Sequence, residues 1–144
     1  MIFRKLFVAA LATLSLAALS PAADAPSKKT DVDLSRMSGT VVYGMVYQMV
    51  TYPKRFVGKH IRMKGIFSTY YDNEIQQRFF GCVISDALAC CSQGLAFELA
   101  KPRKFPDEYP KEGATITITG DFDLASEEDE EPYPIIRNAK MTNE

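Results

Sequence analysis

The stretches GKHIRMKGIF (residues 58–67) and GATITITGDF (residues 113–122) carry the same pattern over their whole length. Each begins with a glycine, alternates apolar with polar residues, has a second glycine at its eighth position and ends in phenylalanine. The period of two indicates half-buried β-strands, and a glycine inside a strand is typical of a bulge or bend. Two long strands that bend at Gly65 and Gly120 suit a small closed barrel, because each bent strand contributes to both of its layers.

Further elements are predicted on both sides of these two strands. The first strand continues to Tyr71, and alternation predicts the others over residues 78–85, 94–100, 115–124 and 133–141. Between residues 38 and 51, apolar residues recur at intervals of three and four, which predicts a helix, with a strand as the alternative. The sequence therefore predicts a mainly β fold: a small five-stranded barrel with one N-terminal helix.

Two connecting segments are predicted to be loops. Three prolines fall between residues 101 and 113, and the acidic run SEEDEE (residues 126–131) must stay solvated.

The first 25 residues have the pattern of a secretory signal peptide. Arg4 and Lys5 precede the apolar run Phe7–Leu19, and small residues follow it. The run is shorter than the roughly 20 residues that a membrane-spanning helix needs. We therefore expect export to the periplasm or the medium, with an uncleaved N-terminal anchor as the alternative.

The expected domain organisation follows from that signal. Cleavage is expected after Ala22 or Ala23, within a signal peptide covering residues 1–25. The polar residues 26–35 are predicted to be a flexible leader, and residues 36–144 the barrel domain. No membrane span is expected after cleavage.

The charge balance bears on the class of partner. The chain has 17 basic and 18 acidic residues, a formal net charge of −1. Domains that bind nucleic acid are usually strongly basic, so a nucleic-acid partner is not expected.

The three cysteines, Cys82, Cys90 and Cys91, fall within ten residues of one another, with Asp86 between them. Three interpretations remain open. The first is a structural disulfide from Cys82 to Cys90 or Cys91, since export favours oxidation. The second is a thiolate site for zinc or copper, completed by Cys82, Asp86 or His60. The third is that these cysteines are buried as small apolar residues.

A basic stripe offers a candidate ligand site. Lys59, Arg62 and Lys64 project from the first strand, and Tyr70 lies further along it. Cationic groups beside aromatic rings suit an anionic glycan or an acidic surface of a cell-envelope protein. A solvated strand face without a ligand is the alternative.

Catalytic motifs are not evident. His60 is the single histidine, and the chain has no Gly-x-Ser-x-Gly segment to place a nucleophilic serine. We therefore expect a binding or assembly module rather than an enzyme.

Residues 33–141 resemble a family of exported bacterial proteins that have an OB-fold-like domain and no assigned activity. The segments that carry the resemblance are DLSRMSGT (33–40), YPKRFVGKHIRMKG (52–65), CVISDALACCSQGLAFEL (82–99), YPKEGATITITGDF (109–122) and RNAKM (137–141). The resemblance implies an exported OB-like barrel. The chain departs from many OB folds by having a proline-rich loop between its third and fourth strands, where those folds carry a helix, so the position of the ligand face stays open.

The sequence thus leads to two functional hypotheses. The first is an exported, non-enzymatic OB-like binding or assembly module of unknown ligand. The alternative is a thiolate metal-binding protein that uses Cys82, Cys90 and Cys91.

Overall fold

The structure is a computed structural model that describes residues 28–126 and 131–143. Its elements are, in chain order, β1 (Val32–Asp33), α1 (Gly39–Thr51), a 3₁₀ turn (Pro53–Arg55), β2 (His60–Asp72), β3 (Gln77–Ser85), β4 (Ser92–Leu99), β5 (Thr115–Ala125) and β6 (Tyr133–Asn143). The described chain is therefore mainly β with one α-helix, as the sequence predicts. The predicted signal peptide and residues 127–130 of the acidic run lie outside the described residues.

The six strands form one mixed sheet. Its order is β1-β2-β3-β4-β6-β5, and β2 pairs in addition with β5. The β1–β2 and β4–β6 pairs are parallel, and the other pairs are antiparallel. The pairings from β2 through β3, β4, β6 and β5 therefore lead back to β2 and form a ring.

The pairing of β2 with β5 joins the two matching stretches directly. Met63 pairs with Ile118 at the centre, while Ile61 pairs with Gly120 and Ile116 with Gly65. The alternating apolar side chains of both strands are almost completely buried. The prediction that the two stretches are matching β segments is confirmed. Equivalent positions of the two stretches have equivalent partners, so the pair has approximate local twofold symmetry.

Backbone hydrogen bonds at both ends of this pair repeat the exchange. Gly58 N–H donates to Phe122 O at 2.8 Å, and Gly113 N–H donates to Phe67 O at 2.9 Å. The Phe122 and Phe67 N–H groups donate in return to the carbonyls of Lys59 (2.9 Å) and Ala114 (2.8 Å). Each matching stretch therefore ends against the turn that begins the other.

The glycines inside β2 and β5 sit where the sheet leaves no space for a side chain. A Cβ on Gly65 would lie 2.7 Å from Cys82 Sγ and 2.8 Å from Val83 O. A Cβ on Gly120 would lie 2.6 Å from Arg137 O, at the irregularity where β5 and β6 shift register. Close approach of neighbouring backbone is thus the reason for glycine at both positions.

The helix α1 packs against β3, β4 and β6. Val42, Val46 and Met49 are buried there, as the helical spacing predicts, whereas Val50 lies at the exposed margin of the helix. The helix has weak intrinsic propensity because of its β-branched residues, so this packing stabilises it.

The structure differs from the predicted leader over the last part of residues 26–35. Val32 and Asp33 form β1, which pairs with residues 61–62 of β2. The strand β3 pairs only with residues 66–72 of β2 and therefore leaves this part free for β1. Leu34 is buried in the core. Two residues are too few to show alternation, so a strand this short has no periodic signal.

Polar contacts also attach this segment to the sheet. Lys28 Nζ lies 2.7 Å from Asp121 Oδ1, and His60 Nδ1 lies 2.9 Å from the same oxygen. These two partners lower the pKa of Asp121 below its usual value, Lys28 having the larger effect. The side chain of His60 is thus largely enclosed by a carboxylate and the N-terminal segment.

We expect Gly120→Ala to lower the free energy of unfolding by about 1–3 kcal/mol, because the added methyl group meets backbone that cannot move without breaking the β5–β6 pairing. Urea unfolding followed by circular dichroism measures this change. Gly44→Ala is the control, because an added Cβ there meets nothing within 4 Å. It should stabilise the helix by about 0.5–1 kcal/mol. Equal stability of the Gly120→Ala variant and the original chain would contradict the close-approach argument.

Candidate functional site

A groove of about 810 Å³ opens where the start of β3, the end of β4 and the start of β6 lie side by side. Its lining combines aromatic, aliphatic and charged side chains: Ile75, Gln77, Arg78, Phe79, Phe80, Ala96, Phe97, Glu98, Leu99, Pro102, Arg103, Tyr109, Ala125, Ser126, Tyr133, Ile135 and Arg137. Three loops contribute to it, namely those between β2 and β3, β4 and β5, and β5 and β6. The groove therefore depends on the sheet topology rather than on one contiguous motif.

Strand pairing brings these segments together. The antiparallel register places Gly81 of β3 opposite Ala96 of β4, and the parallel register places Ala96 opposite Ile135 of β6. The beginning of β3, the end of β4 and the beginning of β6 consequently meet at one end of the sheet.

A second concavity of about 250 Å³ adjoins the groove over β2, β3 and β4. It shares Phe79, Phe80 and Ala96 with the groove, so the two are adjacent. Gly81 and Gly94 also line it, and because neither has a side chain, nothing projects into the concavity from these two positions. Together the two concavities form an extended depression across four strands, β2, β3, β4 and β6.

Three arginines line the groove, and each is held by neighbouring groups. The Arg78 guanidinium carbon lies 4.2 Å from the centre of the Phe105 ring, and its Nη1 donates to Thr69 Oγ1 at 3.1 Å. Arg103 Nη2 donates to Met141 O at 3.3 Å. Stacking over an aromatic face orients a guanidinium without neutralising its charge. Arg78 and Arg103 are therefore positioned cations.

Arg137 has a different environment. Its Nη1 lies 2.8 Å from Glu98 Oε2 and its Nε lies 3.1 Å from Asp123 Oδ2, so it links β4, β5 and β6. Glu98 is the one carboxylate among the described residues that line the groove. The lining therefore keeps an excess of positive charge, although the whole chain is slightly acidic.

Stacked rings form the wall of the groove nearest the β4–β5 loop. Phe80 and Tyr109 stack with ring centres 4.3 Å apart and planes at 11°, and Phe105 packs 5.9 Å from Phe80. Burial among these rings raises the pKa of Tyr109. On the other side, Phe79 meets Tyr133 edge to face at 6.4 Å. The groove thus offers flat apolar faces beside its cations.

The residues predicted to bind a ligand lie in different parts of the structure. Tyr70 is highly exposed, pairs with Phe79 and lines the second concavity. Arg62 and Lys64 pair with threonines of β5, and Lys59 lies in the turn before β2. None of these three basic residues is among the described residues lining the groove.

The groove arginines were not identified from the sequence, because they occur on separate elements. Arg78 lies near the start of β3, Arg137 lies within β6, and Arg103 lies within a proline-rich loop. The one local signal is the pair of phenylalanines directly after Arg78.

The predicted cysteine cluster is partly assembled. Asp86, Cys90 and Cys91 each offer a ligand atom, and these atoms lie within 4.8 Å of one another. Cys90 Sγ donates to Asp86 Oδ2 at 3.1 Å, and the two cysteine sulfurs are 3.8 Å apart. This hydrogen bond lowers the pKa of Asp86 and raises that of the Cys90 thiol. We call residues 86–91, which connect β3 to β4, the thiol loop.

Cys82 lies elsewhere, in the apolar core. It is fully buried and pairs with Leu95, and burial raises the pKa of its thiol to about 12. All three thiols are free, so a disulfide between Cys82 and either exposed cysteine stays a prediction. Cys82 fits the interpretation of a buried apolar residue, whereas Cys90 and Cys91 do not, because both are exposed.

No protein-family model and no curated protein matches the chain. Among residues 28–126 and 131–143, no helix has the length and apolar character needed to cross a membrane.

The structure predicts two classes of thiol. In reduced native protein, Cys90 and Cys91 should react with a water-soluble disulfide reagent within minutes, because both are exposed. Cys82 should react only after unfolding, since its thiol is buried and protonated at neutral pH. Thiol titration with and without denaturant, followed by mass mapping of the labelled peptides, distinguishes the classes. Rapid labelling of Cys82 in the native protein would contradict the placement of this residue in the core.

Proposed function

We propose that the chain is an exported, non-enzymatic module with an OB-like barrel, and that its groove binds an anionic oligosaccharide of the cell envelope. The observation that carries this proposal is the joint presence of Arg78, Arg103 and stacked aromatic rings in one open groove. Export rests on the signal-like N-terminus, and the ligand class rests on the chemistry of the groove.

The strand pairing supports an OB-like assignment. A ring of five strands in which the first pairs with both the second and the fourth, and the third runs parallel to the fifth, is the connectivity of an OB fold. In this chain β2 to β6 have these pairings, and β1 is an additional edge strand. The proposed barrel consists of these five strands.

The place of the groove supports the same assignment. OB folds bind oligonucleotides and oligosaccharides on their second and third strands, between the first–second and fourth–fifth loops. In the proposed barrel these strands are β3 and β4, and the two loops contribute Ile75 and Ser126 to the groove. The proline-rich segment between β4 and β5 adds a third wall through Arg103 and Tyr109.

The cations favour a ligand that carries carboxylates or other planar anions. A guanidinium presents its donors as a fork that matches a carboxylate in two hydrogen bonds. Arg78 and Arg103 have no carboxylate partner among the contacts described above, so their charge is directed at the groove. Sugar rings can stack on Phe79 and Tyr133, which line the groove, while their acidic substituents meet the arginines.

An oligosaccharide fits better than a nucleic acid. Nucleic-acid binding depends on a broad field of basic groups that releases counterions from many phosphates, and this chain has a net charge of −1. The described residues of the groove lining carry an excess of positive charge, whereas the chain as a whole does not. Export also separates the protein from most nucleic acid.

Binding rather than hydrolysis is proposed because of the carboxylates. Most glycoside hydrolases need two carboxyl groups that flank the scissile bond. Among the described residues of the groove lining, Glu98 is the sole acid, and it is paired with Arg137.

The test compares binding of an oligouronate, an oligosaccharide with one carboxylate on each sugar, with binding of a neutral oligosaccharide of the same length. Isothermal titration calorimetry should show binding of the oligouronate that weakens with added salt. Arg78→Gln and Arg103→Gln should each weaken it about 10-fold or more, because a hydrogen bond to a charged group contributes about 1.5–3 kcal/mol.

Arg62→Gln is the matched control. It makes the same change of charge on β2, outside the groove, and should leave the affinity unchanged. The proposal fails if both oligosaccharides bind equally, or if Arg62→Gln weakens binding as much as the groove variants do. Thermal unfolding of each variant separates a loss of contact from a loss of fold.

A further inference from the structure

The thiol loop lies at the tip of the β3–β4 hairpin, and its three candidate ligands do not line the groove. We propose that Asp86, Cys90 and Cys91 form a binding site for a thiophilic divalent cation, for which zinc is the best match. This site shares no residue with the proposed oligosaccharide groove, so the proposal of a metal site does not depend on the proposal of oligosaccharide binding.

The distance between the two sulfurs carries the assignment. In a tetrahedral zinc site, two Zn–S bonds of about 2.3 Å place the sulfur atoms about 3.8 Å apart. Cys90 Sγ and Cys91 Sγ lie 3.8 Å apart. The two thiols therefore already have the spacing that one tetrahedral ion requires.

Asp86 completes a third position. Its Oδ2 accepts the thiol hydrogen of Cys90 at 3.1 Å, while its Oδ1 accepts the backbone N–H of Cys90 at 3.0 Å. The backbone contact holds the carboxylate toward the sulfur. A zinc ion would take the place of the shared thiol hydrogen. Both thiols lose a proton to water on binding, the carboxylate is already ionised, and no oxidant or reductant is needed.

The shape of the loop explains how neighbouring cysteines can face one ion. Successive side chains of a strand point to opposite faces, but Cys90 and Cys91 precede β4 and are not in a strand. Ala89 has φ of +54°, a left-handed conformation that is uncommon for a residue with a side chain. Asp86 N–H donates to Cys91 O at 2.9 Å and Ala89 N–H to Asp86 O at 3.1 Å, which closes the loop. The strained residue therefore belongs to the turn that gathers the ligands.

Exposure indicates what kind of zinc site this is. Structural zinc sites have four protein ligands, whereas three protein ligands leave a position for water or another donor. Cys90 and Cys91 are exposed, so an ion held here can be reached by solvent and by other ligands. The site suits reversible acquisition or transfer of the ion rather than stabilisation of the fold.

The experiment uses the exported chain, fully reduced and freed of metal, and titrates it with zinc against a chromophoric chelator. We expect one zinc per chain. Cobalt(II) in place of zinc should give the sulfur-to-metal charge-transfer absorption and the intense visible bands of a tetrahedral thiolate site. Cys90→Ser and Cys91→Ser each remove a direct ligand. Each should therefore weaken zinc binding by more than the roughly 10–100-fold expected for loss of a residue that only hydrogen bonds to a ligand. Asp86→Asn should weaken it less, because an amide oxygen remains.

Two controls keep the result interpretable. Cys82→Ala removes the buried thiol and should leave the stoichiometry and affinity unchanged. Ser92→Ala, next to Cys91, is the second control, and it serves if the Cys82 variant is unstable. The proposal is overturned if the reduced chain binds no zinc at micromolar concentrations, or if the Cys90→Ser and Cys91→Ser variants bind as tightly as the original chain. Half a zinc per chain, accompanied by dimer formation, would also overturn a site built from one chain.

Discussion

The antiparallel pairing of β2 with β5 is the interaction on which the other features depend. Its register places a glycine of each strand opposite an isoleucine of the other, and the turn before each strand hydrogen bonds to the phenylalanine that ends the matching stretch of its partner. A slip of one residue would turn the polar face of the slipped strand into the core. It would also move Gly65 and Gly120 away from the two places where neighbouring backbone approaches too closely for a side chain.

The groove results from the way β3, β4 and β6 connect β2 to β5 through their strand pairings. Because β6 pairs with β5 on one side and runs parallel to β4 on the other, Arg137 comes to lie beside Glu98. The β4–β5 connection must then cross the end of the sheet, and its rings stack on Phe80 and Phe67. The cations and flat rings are thus brought together because the strand pairings lead back from β5 to β2. In an open sheet of the same strand order, β5 and β2 would be apart.

Most of the architecture follows from local pattern, whereas the sites depend on topology. Alternation and paired glycines predict the long strands, because a half-buried strand has a period that the sequence shows directly. β1 has two residues and no period, so its strand was not predicted. Arg78 and Arg103 become neighbours of one groove only after β3 and the β4–β5 loop are placed together. The cysteine cluster was predicted with Cys82 as a candidate, but strand register, which the sequence does not show, turns that side chain into the core.

The β3–β4 hairpin carries both candidate sites, one at each end. Its pairing is continuous from Gly81–Ala96 to Ser85–Ser92, with the groove beyond the first pair and the thiol loop beyond the second. At the groove end, β4 is held by β6. The helix α1 packs against both strands of the hairpin. Midway, Cys82 packs against the backbone of Gly65 and fixes the hairpin to β2. Because continuously paired strands separate the two ends, the ion proposed for the thiol loop would order that loop without changing the shape of the groove.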